Sequence, residues 1–341
     1  MAAQGNKMAR NLPRVLSTAA KAAVTLLLLG LLFRKVDYAA TLRHLRDITP
    51  LTAVACLVVL NAGIALANTR WRIVLQSMGR TFTNWYLFRL NLIGQFFNQA
   101  LPSTVGGDGM RVWLLYRGGC SFAEAFNSVL IDRFSGFVVL AVMSLYGLPT
   151  LVERMFAIPK GQTVLGIAVL AIVLGVVFYI LVRVRMRIAR FRGGRFVAQI
   201  VTDMMFLAAR PGDSAKIILL SIGAQISAFA VVWLILHDLG ADVSLIGVMI
   251  VAPVVLLLLV LPISIAGWGL REGLFVIGFG LFNVPEDIAL AASILFGLIT
   301  LAEGLIGGVF WIFQPGQSRG SPADLQATSE PSLVEPPIRG A

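Results

Sequence analysis

Residues 101–111 read LPSTVGGDGMR, and residues 261–271 read LPISIAGWGLR. Leu101, Pro102, Gly107, Gly109 and Arg111 match Leu261, Pro262, Gly267, Gly269 and Arg271 without a gap. Farther on, Ser128-Val129-Leu130 pairs with Ser293-Ile294-Leu295 after a slip of five residues. An apolar segment precedes each motif and a long apolar run follows it. Proline removes a backbone donor and glycine permits tight turns, so each motif reads as a helix break. Two ordinary helix-ending loops with coincidental Pro and Gly are the competing reading. Five matches in one register favour an internal repeat.

The surroundings of the motifs set the solvent. The chain has 341 residues, 58% of them hydrophobic and only 13% charged, with a mean hydropathy of +0.86. A helix needs about 20 apolar residues to cross a bilayer. Candidate full spans are Val15–Phe33, Pro50–Asn68, Val129–Pro149, Thr163–Val182, Lys216–Leu236 and Asp287–Phe313. Two further apolar segments, Tyr86–Leu101 and Val243–Leu261, run directly into the motifs. Continuous rather than alternating apolar runs exclude a β-barrel. The expected fold is an all-α polytopic membrane helix bundle over residues 1–313, with about six full spans and two re-entrant or broken segments. The repeat halves fall at about 50–150 and 216–313. Residues 314–341, rich in Pro, Ser and charge, read as a disordered cytoplasmic tail.

Lys7, Arg10 and Arg14 precede the first apolar run as in a signal peptide, but Arg34 and Lys35 follow it instead of a small-residue cleavage site. It reads as an uncleaved span. Arginines 183, 185, 187, 190, 192 and 195 occur without an acid, whereas residues 237–242 hold no Lys or Arg. The positive-inside rule therefore places the first segment in the cytoplasm and the second outside, with both termini cytoplasmic. The Arg70/Arg72/Arg80 region reads as a cytoplasmic loop. The connection 34–49 disagrees, because parity puts its Arg34, Lys35, Arg43 and Arg46 outside. Phe196–Ala209 has one apolar helical face and reads as an interfacial helix. With the same parity the two motif segments enter from opposite sides, which makes the halves inverted. That is the architecture of many transporters.

Charges at membrane depth are expensive and face partners or a cavity. The candidate substrate-binding set is Asn98, Pro102, Ser103, Gly107, Asp108, Arg111, Asp132 and Arg133 from the first half. The second half contributes Pro262, Ser264, Gly267, Gly269, Arg271, Glu272 and Glu303. Arg111 and Arg271 suit a phosphate or similar anion, since the planar guanidinium binds it bidentately. Backbone N–H groups beside the motif glycines assist. The competing reading makes the arginines interfacial topology signals and Glu303 a protonated packing residue beside its GxxxG. Asp132 and Arg133 are adjacent, so each needs another partner. No P-loop, dinucleotide fingerprint, His/Cys metal cluster or Ser-His-Asp set is visible, so no cofactor, metal or catalytic residue is expected. The net charge of +11 lies between apolar segments, where it contacts lipid head groups rather than nucleic acid.

The stretches NQALPSTVGGDGMR (98–111), SVLIDR (128–133), LPISIAGWGLREG (261–273) and AEGLIGG (302–308) resemble the flippase-like membrane domain typified by the N-terminal region of lysylphosphatidylglycerol synthases. The likeness covers about residues 12–313. It implies a lipid translocase of the inner (cytoplasmic) membrane, moving a polar- or phosphate-headed lipid or lipid-linked glycan in cell-envelope metabolism. A separate lipid-synthesis enzyme is the implied partner. The soluble aminoacyltransferase domain of the bifunctional relatives has no counterpart before the tail, so that activity is not expected here. Two other classes stay open. One is an intramembrane head-group transferase using Asp108, Asp132 or Glu303 as base; the other is a non-transporting accessory subunit.

Overall fold

The computed structural model describes residues 38–100, 106–156, 202, 209–259 and 268–313. All regular structure among them is helical: α1 (Tyr38–Asp47), α2 (Pro50–Ser77), α3 (Asn84–Ala100), α4 (Gly106–Arg117), α5 (Phe122–Phe156), α6 (Pro211–Asp238), α7 (Leu245–Leu259), α8 (Leu270–Gly280) and α9 (Glu286–Ile312). The chain is an all-α polytopic membrane bundle. Helices α2, α5, α6 and α9 are long and apolar enough to span a bilayer. They contain or overlap the expected spans at 50–68, 129–149, 216–236 and 287–313. The expected spans Val15–Phe33 and Thr163–Val182 lie outside the described residues. So do Pro102, Ser103, Pro262, Ser264, Gly267, the six arginines at 183–195, most of Phe196–Ala209 and the tail.

Helix starts follow local chemistry. Pro50 opens α2 behind Thr49, whose hydroxyl accepts the Thr52 N–H at 3.2 Å. Ser121 and Glu124 close a capping box on α5: the Ser121 hydroxyl accepts the Glu124 N–H at 3.2 Å, and the Glu124 carboxylate accepts the Ser121 N–H at 2.8 Å. Three expectations are corrected by these bounds. Helix α2 runs to Ser77, so Arg70 and Arg72 belong to a helix and not to a loop. With 28 residues and a rise of 1.5 Å each, α2 exceeds the ~30 Å hydrocarbon layer, and polar residues continue it. Helix α5 begins at Phe122, which puts Asp132 and Arg133 nearly three turns inside it instead of at its start. Helix α4 begins at Gly106, so Gly107, Asp108, Gly109 and Arg111 are helical residues rather than an extended break.

A long, short, short, long order occurs twice: 28, 17, 12 and 35 residues in α2–α5, then 28, 15, 11 and 27 in α6–α9. The two leading helices are antiparallel. Cys56 meets Val231, a Cβ on Gly63 would meet Ser227, one on Gly223 would meet Leu66, and Arg70 meets Ser221. Antiparallel corresponding helices are what an axis lying in the membrane plane produces. Two further large contacts cross between the two sets. Helix α3 lies on α9, and α7 lies on α5. Glycine permits both approaches: a Cβ on Gly307 would strike the Leu92 carbonyl, and one on Gly147 the Ile250 carbonyl. In lipid such close packing replaces the hydrophobic drive that holds soluble helices together.

Three buried clusters occur among the described residues. One gathers Phe229, Ile235, Val251, Phe275 and Phe279; a second gathers Trp71, Leu75, Leu87, Ile93 and Leu115; a small third joins Val74, Ile131 and Ile217. Leu51, Val58, Val142, Leu219 and Ile246 stay exposed, as lipid-facing side chains do. Where α3 starts and α9 ends, Trp85 stacks edge-on against Phe310 at 5.7 Å and Arg89 lies over Phe310. Trp113 meets Trp311 nearby, beneath Arg117. Such aromatic and arginine groupings mark a membrane–water interface.

Candidate functional site: a buried arginine network

Arg70 on α2, Arg111 on α4 and Asp132 on α5 converge with side chains only 8%, 3% and 3% exposed. The Arg70 Nε donates to Asp132 Oδ1 at 2.8 Å, and an Arg111 terminal nitrogen donates to Asp132 Oδ2 at 2.9 Å. Each carboxylate oxygen thus serves an arginine from a different helix. Arg70 also donates to the Ser221 hydroxyl of α6 at 3.0 Å, so four helices meet here. Arg111 lies 3.9 Å over the Trp71 ring, which offers its negative face to the cation. At the outer edge Arg133 donates to Asp108 at 2.8 Å, and Arg111 reaches the same oxygen at 3.4 Å. Arg133 is 49% and Asp108 20% exposed, which makes this the more solvated pair.

Glycines make the room. The Arg111 side chain runs within 3.0 Å of where a Cβ would stand on Gly94. A Cβ on Gly107 would collide with the Gly94 carbonyl and with the Asn98 amide at 2.6 Å. Asn98 is spent on the same junction: its Oδ1 accepts the Gly107 N–H at 2.9 Å, satisfying an otherwise orphaned donor at the start of α4. No described residue presses on Gly109.

Charge does not balance in the buried part. Arg70 and Arg111 share Asp132, while Asp108 pairs chiefly with Arg133 at 2.8 Å and only distantly with Arg111 at 3.4 Å. The five groups together carry one excess positive charge. Arg111 Nε is also buried without an acceptor. A surplus cation and an unused donor in a buried site are costly, and a singly charged anion would satisfy both.

The second motif is arranged differently. Arg271 donates to Glu272 at 2.8 Å through a terminal nitrogen and to Ser293 at 3.1 Å through Nε, and its guanidinium lies 4.7 Å over Trp268. The other Glu272 oxygen accepts the Gly269 N–H at 2.5 Å and so caps α8. Gly269 has φ +82°, a left-handed conformation that side chains disfavour. A Cβ on Gly297 would collide with the Arg271 fork. This site is buried and neutral. Glu303 stands apart from both, 2% exposed on α9, with Oε1 lacking any hydrogen-bond partner.

Of the sequence-derived residues, Asn98, Gly107, Asp108, Arg111, Asp132 and Arg133 come together. Gly269, Arg271 and Glu272 form the separate second cluster. Arg70, Trp71, Ser221 and Ser293 are partners that sequence reading did not include. Ser293 was visible only as a repeat match. No group of three or more His, Cys, Asp or Glu suited to a metal occurs among the described residues. Burial pushes the Cys120 thiol, between α4 and α5, up to about 11, so it stays protonated and a poor nucleophile at neutral pH.

The sequence profile of the lysylphosphatidylglycerol synthase TM region matches residues 18–308. A UPF0104 membrane protein of Methanocaldococcus jannaschii is 22% identical over 255 residues, covering 69% of this chain and 76% of that protein.

Proposed function

The chain belongs to the lysylphosphatidylglycerol synthase TM region family, and from that membership we propose that it is a translocase moving a phosphate-headed lipid across the cytoplasmic membrane. The observation that carries the reading is the buried Arg70–Asp132–Arg111 group with its one unbalanced positive charge and its unused Arg111 Nε donor. A phosphodiester head group carries one negative charge and accepts several hydrogen bonds, so it complements this group in both respects. The α2–α5 and α6–α9 sets act as halves of an inverted repeat, and exchange of their near-equivalent packings exposes the site to each side in turn. A second enzyme makes the lipid. The head-group transferase reading finds less support, because Asp132 and Asp108 are both engaged by arginines, and Glu303, the third candidate base, is buried and stands apart from the arginine network.

Translocation of a tagged phospholipid in proteoliposomes tests the proposal. Arg111→Lys should lose most of the rate, since a point charge cannot serve Asp132 and a phosphate together, and Arg111→Ala should lose more. Arg271→Lys should fall less, its partner being the adjacent Glu272. Full activity of Arg111→Lys with a crippled Arg271→Lys would move the head-group site to the second motif.

Orientation is tested by labelling. The antiparallel contact of α2 with α6 puts residues 78–83 and 239–244 at opposite ends of the bundle. In a variant lacking Cys56 and Cys120, a cysteine at Thr81 should react only from the cytoplasm and one at Asp242 only from outside. Reversed labelling would invert the proposed topology, including its cytoplasmic termini.

A further inference from the structure

Glu303 lies in the second half of α9, one turn before Gly307, and is 2% exposed. Its surroundings are unlike those of the other deep charges. Asp132 and Glu272 each meet arginine, whereas no described cation pairs with Glu303 and its Oε1 has no hydrogen-bond partner. No ion pair joins Glu303 to the described charged groups on the neighbouring helices, although Arg72 on α2 and Arg89 on α3 each keep a buried Nε without an acceptor. Arg271 and Glu272 of α8 meet α9 at Ser293 and Gly297, toward its start. Arg89 of α3 lies over Phe310, toward its end, and His44 of α1 pairs with Asp287. On α2, Arg70 is held by Asp132 and Ser221; on α6, Asp238 is held by Thr49 and Lys216 stands near Asp213.

A carboxyl so placed is tolerated as the neutral acid, because among the described residues nothing compensates the ionised form. Position makes this more than a packing detail. Glu303 sits on the seam between α9 and α3, which belong to different sets of helices. A Cβ on Gly304 would stand 3.3 Å from Gln99 and 3.6 Å from the Gln95 carbonyl, and Gly307 rests on Leu92. Any exchange between two packings of the bundle slides this seam and changes what surrounds the carboxyl.

We propose that Glu303 is a proton-binding site, protonated in the packing seen here and releasing its proton to water when the α3–α9 seam shifts, so that a proton gradient drives the lipid movement proposed above. The bond broken is the carboxyl O–H; the proton goes to water and the carboxylate keeps the electron pair. A sodium site would need several more oxygens around the carboxylate than one orphan position implies.

Proton exchange and transport are measured separately, so that failure of this inference is distinguishable from failure of the translocase reading. Infrared difference spectra of the purified protein should contain a carboxylic C=O band that disappears with rising pH and is missing from Glu303→Gln, an isostere that keeps the fold. Glu303→Asp should retain a titrating band. In proteoliposomes an imposed pH gradient should accelerate wild-type lipid translocation several-fold and leave Glu303→Gln unaffected. A titrating band without any lipid movement supports the proton site and removes the translocase reading. A band invariant with pH, transport indifferent to the gradient, or transport driven by a sodium gradient at fixed pH would each overturn the proposal.

Discussion

Asparagine in place of Asp132 should destabilise the folded protein by about 3–5 kcal/mol, the penalty for leaving buried charge without its partner. Arg70 and Arg111 both donate to that one carboxylate, at 2.8 and 2.9 Å, so its loss leaves Arg70 with Ser221 and Arg111 with the longer 3.4 Å contact to Asp108. Thermal unfolding in a mild detergent reads the effect. A triple variant, Arg70→Met, Arg111→Met and Asp132→Leu, removes all three charges and should recover most of the stability, since buried ion networks exchange for apolar side chains at little cost. It should nevertheless move no lipid. Recovery of stability together with normal transport would show that the network only holds helices together. A small effect of Asp132→Asn alone would mean that water or lipid already screens the two arginines.

Valine at Gly107 should abolish transport outright. The added Cβ alone would collide with the Gly94 carbonyl and the Asn98 amide, and two further methyl groups force α4 away from α3. Arg111 rides on the same helix, four residues along, so that displacement withdraws it from Asp132. Overpacking of this kind costs about 1–3 kcal/mol, and more where backbone opposes backbone. Gly109→Ala is the internal control. No described residue stands within 4 Å of its Cβ position, so expression and transport should stay near wild type. Equal damage from both substitutions would point to helix propensity at the start of α4 rather than to the α3–α4 contact.

How far the sequence carried these conclusions varied with the physics involved. Long apolar runs announce helices in lipid without ambiguity, and the described spans fall where hydropathy puts them. The Pro-Gly repeat pointed to two corresponding segments, and α3–α4 and α7–α8 are alike in length and order. Helix ends were harder. Apolar character fades at Asn68 and makes Arg70 look like a loop charge, although the helix continues to Ser77. Hydropathy measures what lipid tolerates; it does not register that an arginine can stay inside a helix if a carboxylate waits on another. That carboxylate is 62 residues away in sequence, a separation over which local pattern carries no information. The different states of the two motif arginines were equally hidden. Arg111 shares its acid with Arg70, while Arg271 keeps Glu272 to itself, and nothing in the matched residues distinguishes them.

The separation between Arg70 and Asp132 has a further consequence, for biogenesis. At about 5–20 residues per second, a ribosome takes roughly 3–12 s to synthesise the 62 residues between them. Throughout that interval α2 has emerged with its arginine and without the counterion that makes the arginine tolerable in hydrocarbon. The Arg70 end of α2 must therefore linger at the head-group level, or in the shelter of the insertion machinery, until α4 and α5 follow. Ser221 arrives 151 residues after Arg70, with α6. The last polar contact of the network closes only when α6 has entered the membrane, so the final seating of Arg70 among α2, α4 and α5 awaits that helix.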